Sequence, residues 1–267
     1  MGRTEALYPN RMRDLSWRIR LGQAVVMVAL VLAWQLLSLR AGPVFLPGPA
    51  SALSTLLDGL QRGWMIPHLW TTLVEILGGY AWAVGIGLSL GFSLGASPLL
   101  LGAYEGPLLN LYAVPKVTLF PLFLAAFKLG IASKIAFGAF HGLFPVAIYT
   151  WTAMRTMNPV HLKVARALRL SPVDTFWRVV FPAVLPGIVT GLRLGFNLTL
   201  LGVVLGEMFA SRAGMGFLLM SFGAAFDASR ILAVILALFM IALIANALLL
   251  ALERRVRGVP EVHLRVS

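Results

Sequence analysis

The sequence predicts an all-α membrane protein of about six transmembrane helices, with a pair of short helices between the fourth and fifth spans. Hydrophobic residues make up 59% of the 267-residue chain, and charged residues only 12%, about half the share found in soluble domains. The mean hydropathy is +0.88. Several apolar stretches also reach the length of about 20 residues that crosses a bilayer.

The first span is predicted at residues 21–39, which contain no Asp, Glu, Lys or Arg. This stretch is longer than the apolar region of a signal peptide, and no small-residue cleavage pattern follows it, so it is expected to be retained. Five further spans are expected at residues 70–94, 108–127, 135–154, 183–207 and 231–252.

The basic residues are placed as topology signals. They form three clusters: Arg3, Arg11, Arg13, Arg18 and Arg20; Arg155, Lys163, Arg166, Arg169 and Arg178; Arg254, Arg255, Arg257 and Arg265. Six spans place all three clusters on one side, which the positive-inside rule identifies as the cytoplasm. Residues 1–20 and 258–267 are then cytoplasmic segments around a membrane domain at 21–257, while Lys128 and Lys134 fall in an outer loop. The clusters flank apolar stretches, so they indicate a bilayer as partner and no nucleic acid.

Small residues and prolines suggest how the spans pack. Glycines recur every four residues at 87, 91 and 95 in the second span and at 187, 191 and 195 in the fifth. Such spacing places them on one helix face, where they serve either helix packing or a subunit contact or solute pathway. Pro107, Pro115 and Pro121 are expected to kink the third span.

Two short capped helices are predicted in the internal segment at residues 158–182. Asn158 followed by Pro159 is a typical helix start, and Ser171 with Asp174 resembles a capping box. The helices are expected at about residues 159–169 and 172–181, after which Pro182 and Pro186 frame a turn into the fifth span.

The first short helix has two different faces. Val160, Val164, Ala167 and Leu168 share an apolar face, and Lys163, Arg166 and Arg169 form a basic stripe. The stripe is suited either to anionic lipid head groups or to a soluble partner protein.

The spacing within this segment matches a known loop. The pattern Glu-Ala-Ala, three residues, Gly, nine residues and Ile-x-Leu-Pro corresponds to Lys163, Val164, Ala165, Arg169, Val179, Phe181 and Pro182, with identity at Ala165 and Pro182. Supporting matches are Leu168, Ser171, Pro186, Thr190 to Arg193, Val114-Pro115-Lys116, Pro121, Ser133-Lys134, Phe144-Pro145, Glu207-Met208, Gly214 and Gly216. Over about residues 65–257 the chain resembles permease subunits of bacterial ABC importers, in the binding-protein-dependent family and its sulfonate, taurine and nitrate branch.

The resemblance implies a fold like that of type I importers, with solute passage and ATP hydrolysis carried out by different subunits. The short helices would be coupling helices docked on two ATPase subunits, which bind the ATP and Mg²⁺; the chain itself has no phosphate-binding loop and is not expected to be an enzyme. A second permease subunit, identical or related, and an extracytoplasmic solute-binding protein would complete an importer in the inner membrane. Its solute would be a small organic or inorganic anion such as a sulfonate, nitrate or aromatic acid. The implied coupling residues are Lys163, Val164, Ala165, Arg166, Arg169, Ser171, Asp174 and Pro182.

Two positions depart from the family pattern. Lys163 stands where the family has an acid, and Arg169 stands where it has a glycine. If residue 169 is left-handed, a non-glycine side chain costs about 1–2 kcal/mol. The reversed charge implies either an acidic groove on the cognate ATPase or a heterodimer whose other permease carries the usual motif.

Three ionisable residues inside the spans are candidates for the solute path: Glu75, Arg193 and Glu207. Arg193 serves either as an electropositive point for an anion or as a structural residue, and a pair between Glu75 and Arg193 is conceivable. His141 is expected to be a packed core histidine, and no metal-ligand spacing is present. Two other functions remain open on the residues alone, an ion-coupled secondary transporter and a membrane scaffold without transport.

Overall fold

Helices make up nearly all of residues 8–257, which are the residues that this computed structural model describes. They are α1 (Tyr8–Ala41), α2 (Pro49–Gln61), α3 (Ile66–Ala96), α4 (Pro98–Ala113), α5 (Phe120–Phe127), α6 (Ile131–Thr156), α7 (Pro159–Ala167), α8 (Pro172–Thr175), α9 (Phe181–Ala210), α10 (Met215–Ala224) and α11 (Ala228–Arg257). The predicted all-α class is confirmed. Arg3, Arg265, residues 1–7 of the predicted N-terminal segment and the tail at 258–267 lie outside the described residues.

Within residues 8–257, five stretches are long and apolar enough to cross a membrane, namely Leu21–Ala41, Ile66–Ala96, Ile131–Thr156, Pro172–Ala210 and Ala228–Arg255. A broken pair, α4 and the segment Lys116–Phe127, whose axes differ by 91°, makes a sixth crossing when it is counted as one span. The prediction of about six spans is confirmed. The third span is interrupted at one of its predicted prolines, Pro115, but its first helix starts at Pro98, ten residues before the predicted start at 108. Pro115 disfavours a helical conformation at Val114, which is extended, and the helix therefore ends there.

Three helices, α3, α6 and α9, form the centre of the molecule. Glycines of α3 and α9 face adjacent sides of α6. A Cβ at Gly91 would lie 2.5 Å from Thr150 Cβ, and one at Gly191 would lie 2.8 Å from Tyr149 Cβ. The two glycine series therefore let both helices approach α6 closely within this one chain, as the packing interpretation predicts.

The direction of these helices fixes the path of the chain. Gly87 faces Val146 and Gly95 faces Met154, so α3 and α6 run parallel. Gly187 faces Ala153 and Gly206 faces Lys134, so α9 runs antiparallel to α6. The broken pair must then carry the chain back from the end of α3 to the start of α6. The end of the bundle that holds α7 and α8 is called the basic end below, and the other the opposite end.

Lys134 does not lie in a loop, contrary to the sequence prediction. It belongs to the first turn of α6, is 2% exposed, and its Nζ donates a hydrogen bond to the Gly130 carbonyl at 3.0 Å. Helix α6 starts at Ile131, four residues earlier than the predicted span. Lys128 does lie in the α5–α6 connection, with φ +62°.

Candidate functional site

Helix α7 is capped at both ends by local hydrogen bonds. Asn158 Oδ1 accepts from the Val160 N–H at 3.0 Å. At the other end the Leu170 N–H reaches the Ala165 carbonyl at 3.1 Å and the Arg169 N–H reaches the Arg166 carbonyl at 3.0 Å. This pair of bonds is a Schellman motif, which requires a left-handed residue just beyond the helix. Arg169 occupies that place with φ +50°, so the condition under which a non-glycine side chain is costly at this position is met.

The second short helix does not end before the fifth span. Helix α8 continues through one π-helical turn, Phe176–Val180, directly into α9. In that turn the Phe181 N–H reaches back to the Phe176 carbonyl, and the wider turn accommodates Pro182, whose ring would clash in a regular α-helix. The prediction that Pro182 and Pro186 frame a turn is therefore wrong. Pro182 lies in the first turn of α9, and Pro186 lies within the helix.

The predicted capping box at the start of α8 is present in a modified form. Ser171 Oγ accepts from the Asp174 N–H at 3.1 Å and donates to Asp174 Oδ2 at 2.7 Å. The carboxylate of Asp174 also lies 3.0 Å from Arg178 Nε in an exposed ion pair. Asp174 therefore stabilises the start of α8 locally and is not free to pair with α7.

The corner between α7 and α8 exposes a set of apolar side chains at the basic end. This set, called the docking surface below, comprises Val160, Val164, Leu168, Val173 and Trp177. Leu168 is 66% exposed and Trp177 is 60% exposed. By contrast Ala165 is 1% exposed and forms the inner face of α7, while Phe176 packs edge-on against Phe92 of α3 at 5.3 Å.

The basic residues around the docking surface have no acidic partner among the described residues. Lys163, Arg166 and Arg169 are exposed, and no described carboxylate lies within 4.0 Å of their charged groups. The predicted coupling residues thus lie together at one corner, with apolar and cationic groups directed outward. Exposed apolar clusters surrounded by polar residues are typical of protein interaction sites.

Arg193 does not pair with Glu75. Its Nη1 lies 3.2 Å from Glu253 Oε2, near the end of α11. One helical turn further along α9, Asn246 Nδ2 donates to Asn197 Oδ1 at 2.7 Å. The two contacts join α9 to α11 by a polar ladder. The rise of the helices explains why Glu75 and Arg193 do not form the pair considered in the sequence analysis. Measured along their helices from the opposite end, the two residues lie at depths that differ by about 12 Å.

Glu207 holds the start of α10. Its Oε1 accepts from Thr72 Oγ1 at 2.6 Å and its Oε2 accepts from the Gly216 N–H at 2.7 Å. The Thr72 hydroxyl itself accepts from the Met215 N–H at 2.8 Å. A carboxylate at a helix N-terminus satisfies unpaired N–H groups and interacts favourably with the helix dipole. Gly214 has φ +108° and contacts this carboxylate so closely that a Cβ would not fit.

Glu75 is the second buried carboxylate at the opposite end. It is 1% exposed, lies beside Glu207 and Lys134, and its Oε2 has no hydrogen-bond partner among the described residues. The structure thus brings Glu75 and Glu207 together and places Arg193 elsewhere. His141 is buried with Nδ1 2.9 Å from the Phe137 carbonyl, in agreement with the predicted core role.

A cavity of about 320 Å³ lies between α4, α6 and α9. It is lined by Tyr112, Pro145, Ile148, Tyr149, Leu194, Asn197 and Leu198. The Lys116 Nζ lies 4.3 Å above the ring of Tyr112 and 5.3 Å above that of Phe144, and donates to the Tyr112 carbonyl at 2.7 Å. The sequence analysis named Lys116 only as a match to the family pattern and did not name Tyr112 or Asn197. Lys116 and Asn197 are nevertheless polar residues in apolar surroundings, which is itself a signal.

The family described as binding-protein-dependent transport system inner membrane component matches residues 61–258. The chain belongs to this family. The permease is 30% identical over 261 residues to the taurine transport system permease protein TauC of Escherichia coli, with 94% of each chain covered. It is 28% identical over 231 residues to the nitrate import permease protein NrtB of Synechocystis sp., with 83% of this chain and 82% of the relative covered.

Two further comparisons agree with this assignment. The permease is 30% identical over 245 residues to the bicarbonate transport system permease protein CmpB of Synechocystis sp., with 84% and 85% of the chains covered. An inward-facing structure of the MetNI methionine ABC transporter matches with a TM-score of 0.65 at 16% identity, over 72% of this chain and 95% of that chain. The predicted function, a transmembrane permease subunit of an ABC importer, is confirmed, and so is the fold of that class.

Proposed function

We propose that this permease moves a small anion into the bacterial cytoplasm, driven by two ATPase subunits that dock at the α7–α8 corner. The docking proposal rests on the exposure of the apolar side chains that form the docking surface. Its apolar side chains are exposed although other apolar residues of the same segment, such as Ala165, are buried. An exposed apolar patch of this kind is stabilised when a partner protein covers it.

The orientation of the permease in the membrane is inferred from the same α7–α8 corner. The basic residues of α7 and the arginines at the end of α11 lie at one end of the bundle, which the positive-inside rule assigns to the cytoplasm. Both termini are then cytoplasmic in the inner membrane. The opposite end, with α10 and the loop before it, faces the solute-binding protein. ATP and Mg²⁺ are bound by the ATPase partners and not by this chain.

The nature of the solute is inferred from charge and from the relatives. Proteins named as permeases for taurine, nitrate and bicarbonate share 28–30% identity with this chain. These three solutes all carry an oxyanion group. A small oxyanion is therefore the proposed substrate class. A second permease subunit, either another copy or a relative with Glu in place of Lys163, completes the path.

The docking proposal is tested by binding of the ATPase. We expect Leu168→Asp to abolish recovery of the cognate ATPase with the tagged permease, because it places a charge in the centre of an apolar contact. Leu129→Asp is the matched control, since Leu129 is 73% exposed but lies in the α5–α6 connection at the opposite end. Equal recovery of the ATPase with both variants would contradict the proposal.

Transport itself is tested in proteoliposomes with the binding protein present. We expect uptake of taurine, nitrate or bicarbonate to require ATP on the side of α7 and to persist when ion gradients are collapsed. Uptake that follows a proton or sodium gradient without ATP would instead identify a secondary transporter. Permease carrying two different tags distinguishes a homodimer from a heterodimer by co-purification.

A further inference from the structure

Lys116 is a cation without a carboxylate partner in an apolar part of the bundle. It lies in the short 3₁₀ turn that follows the break at Pro115, within the sixth crossing. Its ammonium group is held by one carbonyl, that of Tyr112, and by the faces of two aromatic rings. No described Asp or Glu lies within 4.0 Å of it.

Two other basic residues within the spans lie close to carboxylates of the chain. Arg193 has Glu253 at 3.2 Å, and Lys134 interacts with the buried carboxylates at the opposite end. A charge in a membrane-spanning segment is costly, and such residues normally pair or line a polar path. The aromatic faces and the carbonyl offset part of this cost for Lys116. They leave its remaining N–H groups and its net charge free for a ligand.

A cavity next to Lys116 offers the space for that ligand. Lys116 does not itself line this cavity, but Tyr112 does, and the Lys116 Nζ lies 4.3 Å from the centre of the Tyr112 ring. The cavity volume of about 320 Å³ corresponds to about ten water molecules at their share of liquid volume. Asn197 lines the far side, and its Nδ2 makes only one long contact, 3.4 Å to Asn246 Oδ1. A side-chain amide has two N–H groups, so at least one donor remains available. The hydroxyls of Tyr112 and Tyr149 have no hydrogen-bond partner among the described residues.

We propose that Lys116, Tyr112 and Asn197 form a binding site for the oxyanion group of the transported solute, with Lys116 supplying the charge. Lysine serves as a compact point charge for such groups, and the amide and hydroxyl supply directed hydrogen bonds to their oxygens. The inference rests on the proposed function and names the part of the permease that selects the anion. Arg193, already paired with Glu253, is not part of this site.

Charge-selective labelling tests the site without knowledge of the natural solute. The chain contains no cysteine, so Tyr149→Cys places a single thiol on the cavity wall of the full-length permease in nanodiscs. Two methanethiosulfonate reagents of similar size are compared, the anionic sulfonatoethyl and the cationic trimethylammonioethyl compound. We expect the ratio of anionic to cationic labelling rate to fall at least about fivefold when Lys116→Gln is added, and to be retained with Lys116→Arg. Leu129→Cys, remote from the cavity, serves as the control thiol, and its ratio should not respond to Lys116→Gln.

Two results would overturn the site. One is a labelling ratio at residue 149 that is the same with Lys and Gln at 116. The other is no labelling of Tyr149→Cys by either reagent while Leu129→Cys reacts. A transport measurement complements the labelling: in the assembled transporter Lys116→Gln should raise the KM for the transported anion at least about fivefold, with recovery in Lys116→Arg. Failure of the ATPase to bind would contradict the proposed function and leave the labelling result intact, so the two failures are distinguishable.

Discussion

Glu207 and Thr72 are joined by a 2.6 Å hydrogen bond across 135 residues of sequence. The contact connects the end of α9 to the second turn of α3, and through the Met215 and Gly216 N–H groups it also holds the start of α10. Three helices are therefore fixed around one buried carboxylate. These hydrogen bonds explain why a carboxylate, that of Glu207, is present inside a membrane span.

We expect Glu207→Leu to lower the free energy of unfolding by about 2 kcal/mol, because buried N–H and hydroxyl groups lose their acceptor. For a chain of this size that corresponds to a fall in Tm of about 4–8 °C. Glu207→Gln keeps one acceptor oxygen and should cost less. Thermal unfolding in detergent measures both variants, with Glu105→Gln on the exposed side of α4 as the control. Equal Tm values for Glu207→Leu and the control would refute this role.

The glycine contacts of α3 predict opposite effects for two alanine substitutions on the same helix. A Cβ at Gly91 would lie 2.9 Å from the Ala147 carbonyl oxygen, whereas nothing lies within 4 Å of one at Gly85. Gly91→Ala should destabilise the permease by about 1–3 kcal/mol through overpacking. Gly85→Ala should stabilise it by up to about 1 kcal/mol through helix propensity. Denaturation of the two purified variants checks the sign, and a loss of stability in both would contradict the packing described for α6.

The left-handed corner after α7 predicts that glycine is the better residue at 169. We expect Arg169→Gly to stabilise the α7 cap by about 1 kcal/mol, because glycine adopts positive φ without steric cost. Arg166→Gly, inside α7, should have the opposite sign by about the same amount. Hydrogen–deuterium exchange of the α7 amides reports on this segment alone. Slower exchange in Arg169→Gly and faster exchange in Arg166→Gly are the expected results; faster exchange in both would argue against strain at the corner.

The Arg193–Glu253 pair predicts energetic coupling between α9 and α11. Arg193→Met and Glu253→Met should each lower the free energy of unfolding. The loss in the double variant should be smaller than the sum of the two single losses. We expect this difference, the coupling energy, to be about 0.5–1 kcal/mol because the arginine is partly exposed. A double-mutant cycle in the purified permease measures this. The KM for the transported anion should stay the same in the double variant. A raised KM would identify Arg193 as a substrate contact instead.

The reversed charge at Lys163 predicts a specific dependence on the cognate ATPase. We expect Lys163→Glu to weaken the ATPase activity that substrate and binding protein stimulate. An acidic groove on the cognate ATPase is one of the two arrangements that the reversed charge implies, and a glutamate would be repelled by such a groove. The effect should shrink at high salt, because exposed charges are screened. Unchanged stimulation in the reconstituted variant would count against an acidic groove.

Much of the fold could be predicted because length and hydropathy determine where a helix crosses a bilayer. The prolines indicated an interrupted third span, but the 91° bend at Pro115 could not be predicted. A proline inside an apolar stretch produces either a kink or a full turn, depending on the helices packed beside it. Continuity through Pro182 was missed for a related reason. A π-helical turn accommodates the ring, and nothing in the residue types of that segment distinguishes such a turn from a helix end.

The functional site likewise has parts that the sequence predicted and parts that it did not. The capped start of α7 followed from Asn158 and Pro159, whereas a left-handed conformation at Arg169 was only one possibility. Glu253 was missed because the sixth span was predicted to end at 252, which left it among the solvated residues of the tail. Thr72 carries no charge, so it gave no reason to expect a partner for Glu207. Long-range polar pairs depend on helix register and rotation, which one sequence does not reveal.

The absence of a joint between α8 and α9 has a mechanical consequence. The stretch Pro172–Ala210 is one helical unit of 39 residues, about 58 Å long at the usual rise. Asp174 lies near one tip and Glu207 near the other. A tilt imposed at the proposed ATPase docking corner would therefore be transmitted along this helix to the loop before α10 at the opposite end. No relay of side chains is required between the two faces of the membrane.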